Sequence, residues 1–114
     1  MSVKLTTRQV GDVTVVDAVG RITLGDGASH FRDTIRNLVS GGQKKLLLNL
    51  AEVSYIDSSG IGEMVSGYTT VTNQGGVVKL LSLNKRVKDL LQITKLYTVF
   101  EVFDDEAHAV RSFA

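Results

Sequence analysis

The chain has 114 residues, of which 43% are hydrophobic and 22% charged, with a formal net charge of +1. This composition fits one domain over residues 1–114 with one core and excludes a disordered chain. It has no Cys, which removes disulfides, thiolate metal sites and thiol catalysis. No apolar run nears the roughly 20 residues that cross a bilayer. The opening MSVKLTTRQVGD lacks the apolar stretch of a secretory signal, so the cytoplasm is the expected compartment. Basic residues are dispersed apart from Lys44-Lys45 and Lys85-Arg86-x-Lys88, and aromatics make up 6%. A nucleic-acid binder would show a denser cationic footprint.

Val3 to Arg8 and Asp12 to Val19 are rich in Val and Thr. Gly11-Asp12 between them predicts a hairpin turn. Val13 and Val15 share one side of the second strand, although Val16 blurs the alternation. Gly20 to Gly27 reads as a loop with three glycines. Ala28, Phe31, Ile35, Leu38 and Val39 then recur at helical spacing, and Gly41-Gly42 ends that helix. Lys44 to Leu50 is a short apolar run and reads as a buried strand. Past it, Ile61, Val65, Tyr68 and Thr72 mark one face of a second helix that stops at Gly75-Gly76. Val77 to Leu83 predicts another buried strand. Asn84 caps a third helix carrying Val87, Leu90 and Leu91. Val99 to Phe103 is aromatic and β-branched and reads as the last strand. Asp104-Asp105-Glu106 opens a final helix, with acids where the helix dipole favours them. The order β-β-α-β-α-β-α-β-α predicts an α/β fold: a small mixed sheet, an initial hairpin followed by parallel strands, with about four packed helices.

Shortly after the Lys44 to Leu50 segment lies YIDSSGIG, Tyr55 to Gly62. Asp57 or Ser58 can cap the helix that follows, because their oxygens accept from the free N–H groups of its first turn. Gly60 and Gly62 fall inside that turn or just after it, and each costs about 1 kcal/mol relative to Ala. Close approach of another backbone or of a partner protein accounts for such a cost. The glycines also strip side chains from around Ser58. A phosphate on Ser58 would meet the positive end of the helix and add about −1.5 to −2 charges at pH 7. The fold would tolerate it, and a partner pressed on this surface would not.

Catalytic readings fit less well. A hydrolase elbow needs G-x-S-x-G, and neither Ser58 nor Ser59 has a glycine two residues before it. His30 and His108 both fall on predicted surface helices. Gly60-Ile61-Gly62-Glu63-Met64-Val65 fails G-x-G-x-x-G at its last position, and no His/Asp/Glu group has metal-ligand spacing. A phosphorylated receiver domain needs an acidic pair after its first strand and a lysine after its last. Gln9-Val10-Gly11 and Asp104-Asp105 stand there instead. No catalytic residue, cofactor or metal is expected. At helical spacing Met64 is expected to be partly core, and Lys85, Arg86 and Lys88 a solvated face.

These residues resemble the STAS-domain proteins, specifically the stand-alone bacterial anti-sigma factor antagonists. The resemblance covers nearly the whole chain: the hairpin, GRIT at Gly20 to Thr23, LLLNLAEVSYIDSSGIG at Leu46 to Gly62, GGVVKLLSLNKRVKDLLQITKL at Gly75 to Leu96, and VFEVFDDEAHAV near the end. It implies that Ser58 is a phosphoacceptor. It implies that the unphosphorylated protein binds an anti-sigma factor that is also a serine kinase and so frees a sigma factor. A metal-dependent serine phosphatase would reset the switch. Thr23, Leu24, Asp57, Ser58, Ser59, Gly60, Ile61 and Gly62 are the implied contact residues, with a monomer as the expected state. One departure stands out: many members carry an acidic or amide residue where this chain has Thr23, and Asp26 is displaced further along the loop. A STAS subunit of a stressosome-like or lipid-transport assembly, without serine gating, is the alternative.

Overall fold

The computed structural model describes residues 3–114. Strands β1 (Val3–Val10) and β2 (Val13–Ile22) form an antiparallel hairpin. Its turn holds Gly11 at φ 63°, a left-handed conformation that glycine adopts without a Cβ clash. There follow α1 (Asp26–Ser40), β3 (Lys45–Ile56), α2 (Ser58–Asn73), β4 (Val77–Leu81), α3 (Lys85–Ile93), a 3-10 turn (Leu96–Thr98), β5 (Val102–Phe103) and α4 (Glu106–Arg111). The sheet order is β1-β2-β3-β4-β5, and every pairing after the hairpin is parallel. This is the mixed α/β architecture that the order of segments predicts.

The central strands are buried on both faces, which is why β2 alternates poorly in sequence. Val16, Ala18 and Ile22 pack with Phe31 and Ile35 of α1, Met64 and Val71 of α2, and Val87 and Leu91 of α3. Val13 and Val15 pack instead with Leu47, Leu81 and Ala109 of α4. Successive strand residues point to opposite faces, so α1, α2 and α3 cover one side of the sheet and α4 the other. Met64 is 1% exposed and belongs wholly to the core.

Several boundaries differ from the sequence reading. β2 runs on through Gly20 to Ile22, and β3 runs six residues past Leu50 to Ile56. The glycine loop shrinks accordingly, and α1 already begins at Asp26. The end of β3 was hard to see because its last pairing with β4 is Asn49 with Leu81. Beyond that it pairs only with β2, through irregular register, and Ala51, Glu52, Ser54 and Tyr55 are exposed. A half-paired strand with a solvated face carries little apolar signal. β4 stops at Leu81 because Ser82 turns to φ 60°. β5 is only Val102–Phe103, with Phe100 ahead of it serving the core from a loop. On α2 the buried residues are Gly60, Met64 and Val71. Ile61 and Tyr68 are partly buried against the core, and Thr72 is exposed.

An ion network ties the hairpin to α4. Arg8 Nε donates to Asp17 Oδ2 at 2.7 Å, and Arg8 Nη1 donates to Glu106 Oε2 at 2.9 Å. The Arg8 guanidinium holds both carboxyls below their ordinary range, helped at Asp17 by the Asn49 amide. A carboxyl whose folded pKa is depressed adds stability above its unfolded pKa and loses it as pH falls through the folded one. The three side chains are 26 to 41% exposed, so solvent screening limits the network to roughly 1 kcal/mol. Arg8→Ala is expected to cost about that much at neutral pH in urea titrations. The gap to the parent should close as pH falls below 3.8, the ordinary aspartate value. An undiminished gap at about pH 2.5 would assign the Arg8 effect to packing and not to charge.

Candidate functional site

The site forms at the carboxyl ends of two neighbouring parallel strands, β2 and β3, where crossover loops leave the sheet. Open α/β sheets place their binding crevices at such ends. From β2 the chain passes through Thr23, Leu24 and Gly25 into α1, and from β3 it passes through Asp57 into α2. Both helix starts press on the last residues of β2. A Cβ on Gly27 would lie 2.6 Å from the Arg21 carbonyl oxygen, and one on Gly60 would lie 2.0 Å from that of Ile22.

Asp57 takes the capping role at the start of α2. It is the N-cap of α2: Oδ1 accepts from the Gly60 amide at 2.8 Å. Its Oδ2 accepts from the Leu24 amide at 2.9 Å. One carboxylate therefore caps α2 and pins the β2–α1 loop beside it. The N–H groups of Leu24 and then Gly60 hold the Asp57 carboxyl below its ordinary range, because donors to a carboxylate favour its charged form. With Asp57 as the cap, Ser58 is released from that duty. It is the first residue of α2 and is exposed.

The other sequence candidates gather here in unequal roles. Leu24 is 79% exposed. Thr23, Ser59 and Ile61 are half-buried and Gly62 is exposed. Gly60 is buried, and its missing side chain makes room for Ile22 and not for a visitor. At Gly62 a Cβ would meet nothing within 4 Å. Asp26 opens α1 and is exposed. His30 lies exposed on α1, and His108 on α4 stands edge-on to Phe103 at 5.1 Å. Among the described residues no group of three or more His, Asp or Glu could hold a metal ion, and no helix is long and apolar enough to cross a membrane. The Leu24–Asp57 bond was not readable from the sequence. The capping signal at Asp57 was, but a carboxylate has a second oxygen whose partner lies 33 residues away.

Removing the carboxylate tests this link directly. In Asp57→Ala the Leu24 and Gly60 amides lose their acceptor. Their hydrogen exchange should speed up by roughly an order of magnitude, while core strand amides change far less. Unchanged exchange at Leu24 would mean that the loop holds itself.

Comparison with known proteins gives the family. The STAS domain family model matches residues 4–109, and the chain belongs to the STAS-domain family. It is 30% identical over 102 residues to the anti-sigma-B factor antagonist of Bacillus subtilis (strain 168), covering 90% of this chain and 92% of the relative. A Thermotoga neapolitana homologue of TM1081 is 36% identical over 69 residues, covering 60% of this chain and only 61% of its own length. Among solved structures, TM1081 from Thermotoga maritima superposes with a TM-score of 0.89 at 24% identity, covering 96% of this chain and 93% of that one. The Bacillus cell fate determinant SpoIIAA in its phosphorylated form superposes with a TM-score of 0.76 at 18% identity, covering 97% and 100%. These two likenesses concern the fold.

Proposed function

We propose that the chain is an anti-sigma factor antagonist, a binding module without catalysis of its own, gated by phosphorylation of Ser58. Unphosphorylated, it binds an anti-sigma factor that is also a serine kinase and so frees the sigma factor. The kinase transfers the γ-phosphoryl group of ATP to the Ser58 hydroxyl, ADP leaves, and the complex weakens. A serine phosphatase returns the hydroxyl. The observation that carries this reading is that Ser58 is exposed at the start of α2 while Asp57 does the capping. The Bacillus subtilis relative's name supports the partner class, and the phosphorylated form of SpoIIAA shows that this fold accommodates a phosphate in that protein. Contacts are assigned to Thr23, Leu24, Asp57, Ser58, Ser59, Ile61 and Gly62, with Gly60 as their support.

One observation favours a second reading. The loop residue that is acidic or amide in many members is Thr23 here, which fits a STAS subunit that scaffolds an assembly without serine gating. Intact-mass and phosphopeptide analysis of the protein from its own cells separates the two. A single phosphate on Ser58 is expected. Its absence across several growth conditions would move the assignment to the scaffold.

A further inference from the structure

A groove opens beside the candidate site, between the end of β3 and α3. It measures about 500 Å³ and is lined by Tyr55, Ile56, Lys85, Arg86, Leu90 and Ile93, with Asp89 at its rim. Tyr55 and Arg86 also line a smaller cavity of about 280 Å³ with Arg21 and Ser54. The Arg86 guanidinium stands over the Tyr55 ring at 5.6 Å. Ile93 is 79% exposed and Tyr55 40%.

We propose that this groove is a docking site for an acidic amphipathic helix of a protein partner. An apolar side chain of that helix would lie between Tyr55 and Ile93, and carboxylates would meet Arg21, Lys85 and Arg86. The inference rests on the proposed function for one point only, that the visitor is a protein engaging the Ser58 face.

Charge selects the sign of the visitor. The lining carries three cations against one carboxylate, Asp89, which pairs with Lys85 at 3.2 Å. Lys85, Arg86 and Lys88 also crowd the first turn of α3, which holds no acid. The helix dipole disfavours cations there, so carboxylates arriving at this end would relieve a repulsion present in the free chain. Walls as exposed as Ile93 and Tyr55 enclose a small molecule poorly but suit a segment that brings its own apolar face. A helix fits better than a strand. The Asn84 amide donates to the Val53 carbonyl, occupying the edge of β3 where an added strand would pair.

The groove also lies close to the candidate site. Ile56 lines it and lies two residues before Ser58, so their Cα atoms are at most about 7 Å apart. Ser58 thus follows a groove residue by two positions and a residue bonded to the Leu24 amide by one. A partner spanning the groove and Ser58 would be anchored beside the phosphorylatable hydroxyl and not only on it.

The test is an amide NMR titration of the full chain with a short synthetic helix bearing Leu on one face and Glu on both flanks. A control peptide carries Lys for Glu. Shifts are expected at Tyr55, Ile56, Arg86, Leu90 and Ile93, saturating below about 1 mM. Binding should weaken about tenfold in Arg86→Glu and again in Ile93→Ser, both exposed positions whose change leaves the core intact. No shifts by about 1 mM, equal binding of the Lys peptide, or shifts centred outside the groove would each overturn the proposal. So would binding of phosphatidylglycerol vesicles by the same residues in place of the Glu peptide, which would make the groove a membrane contact. The serine switch is read separately, by phosphopeptide mass of the protein from its own cells. The groove can therefore fail while the serine switch holds, and the reverse.

Discussion

Gly60→Ala is expected to cost about 3 kcal/mol, the upper end of the usual cost of overpacking, and Gly62→Ala to cost nothing. A Cβ on Gly60 would lie 2.0 Å from the Ile22 carbonyl oxygen and 2.8 Å from Ile56 Cγ2. The first is backbone of a strand end held to β3 through Ile56 and cannot rotate away. Relief would require α2 to lift from β2, which would pull Asp57 off the Leu24 amide as well. A loss of this size lowers the melting temperature by roughly 10 °C in a domain of this length. The same substitution two residues on meets open space. There it removes only the backbone freedom that glycine brings to a helix, and should add about 0.5 to 1 kcal/mol. Thermal melts of the two variants are the measurement. Equal losses would show that α2 does not seat as tightly on β2 as described. No internal contact demands glycine at position 62, and on the proposed function Gly62→Ala should reach full stability yet bind a partner less well.

That pair of glycines shows what the sequence could and could not disclose. Two helix-interior glycines predicted a close approach of something, and the prediction holds at Gly60. Which glycine answers to the fold and which to solvent depends on where β2 ends, and β2 runs three residues past its expected limit at Val19. The same extension hid the site's geometry. Gly20 to Gly27 reads as a loop because of its three glycines, yet Arg21 and Ile22 pair with Tyr55 and Ile56. Local signals served well for helix caps. Asn84 accepts from the Val87 amide and Asp105 from the His108 amide, as their positions before helical patterns implied. They failed where a residue answers to a distant neighbour. Tyr55 lay beyond the apolar run that marked the strand, yet it belongs to β3 and faces Arg86, 31 positions away, on a helix whose cations read as mere solvated surface. Periodicity reports which face is buried; it carries no record of which two exposed residues meet.

Phosphorylation of Ser58 should weaken binding to the anti-sigma factor kinase by at least about 30-fold, with Ser58→Asp intermediate and Ser58→Ala equal to the parent. The ordering follows from charge. Phosphoserine carries −1.5 to −2 at neutral pH and aspartate about −1. Both fall beside Asp57, whose carboxylate is kept charged by the Leu24 and Gly60 amides. In the free chain the new charge is tolerable, since it sits in water at the positive end of α2, where an anion gains a few tenths to about 1 kcal/mol. In the complex the same oxygens must shed their hydration against a partner surface. An unpaired charge left in a desolvated interface costs about 2 to 5 kcal/mol, which sets the 30-fold floor at 1.4 kcal/mol per decade. The fold should hardly register the change, with melting temperatures of the modified and unmodified forms within a few degrees. The kinase captured with Ser58→Ala as bait, titrated calorimetrically against each form, measures the ordering. Binding of the phosphorylated chain within about threefold of the unmodified one would sink the switch, because a gap that small is less than 1 kcal/mol and no desolvated phosphate is that cheap. A large loss accompanied by an equally large fall in melting temperature would also count against it, since the phosphate would then be acting on α2 itself and not on the surface that Asp57, by taking over the cap, leaves free.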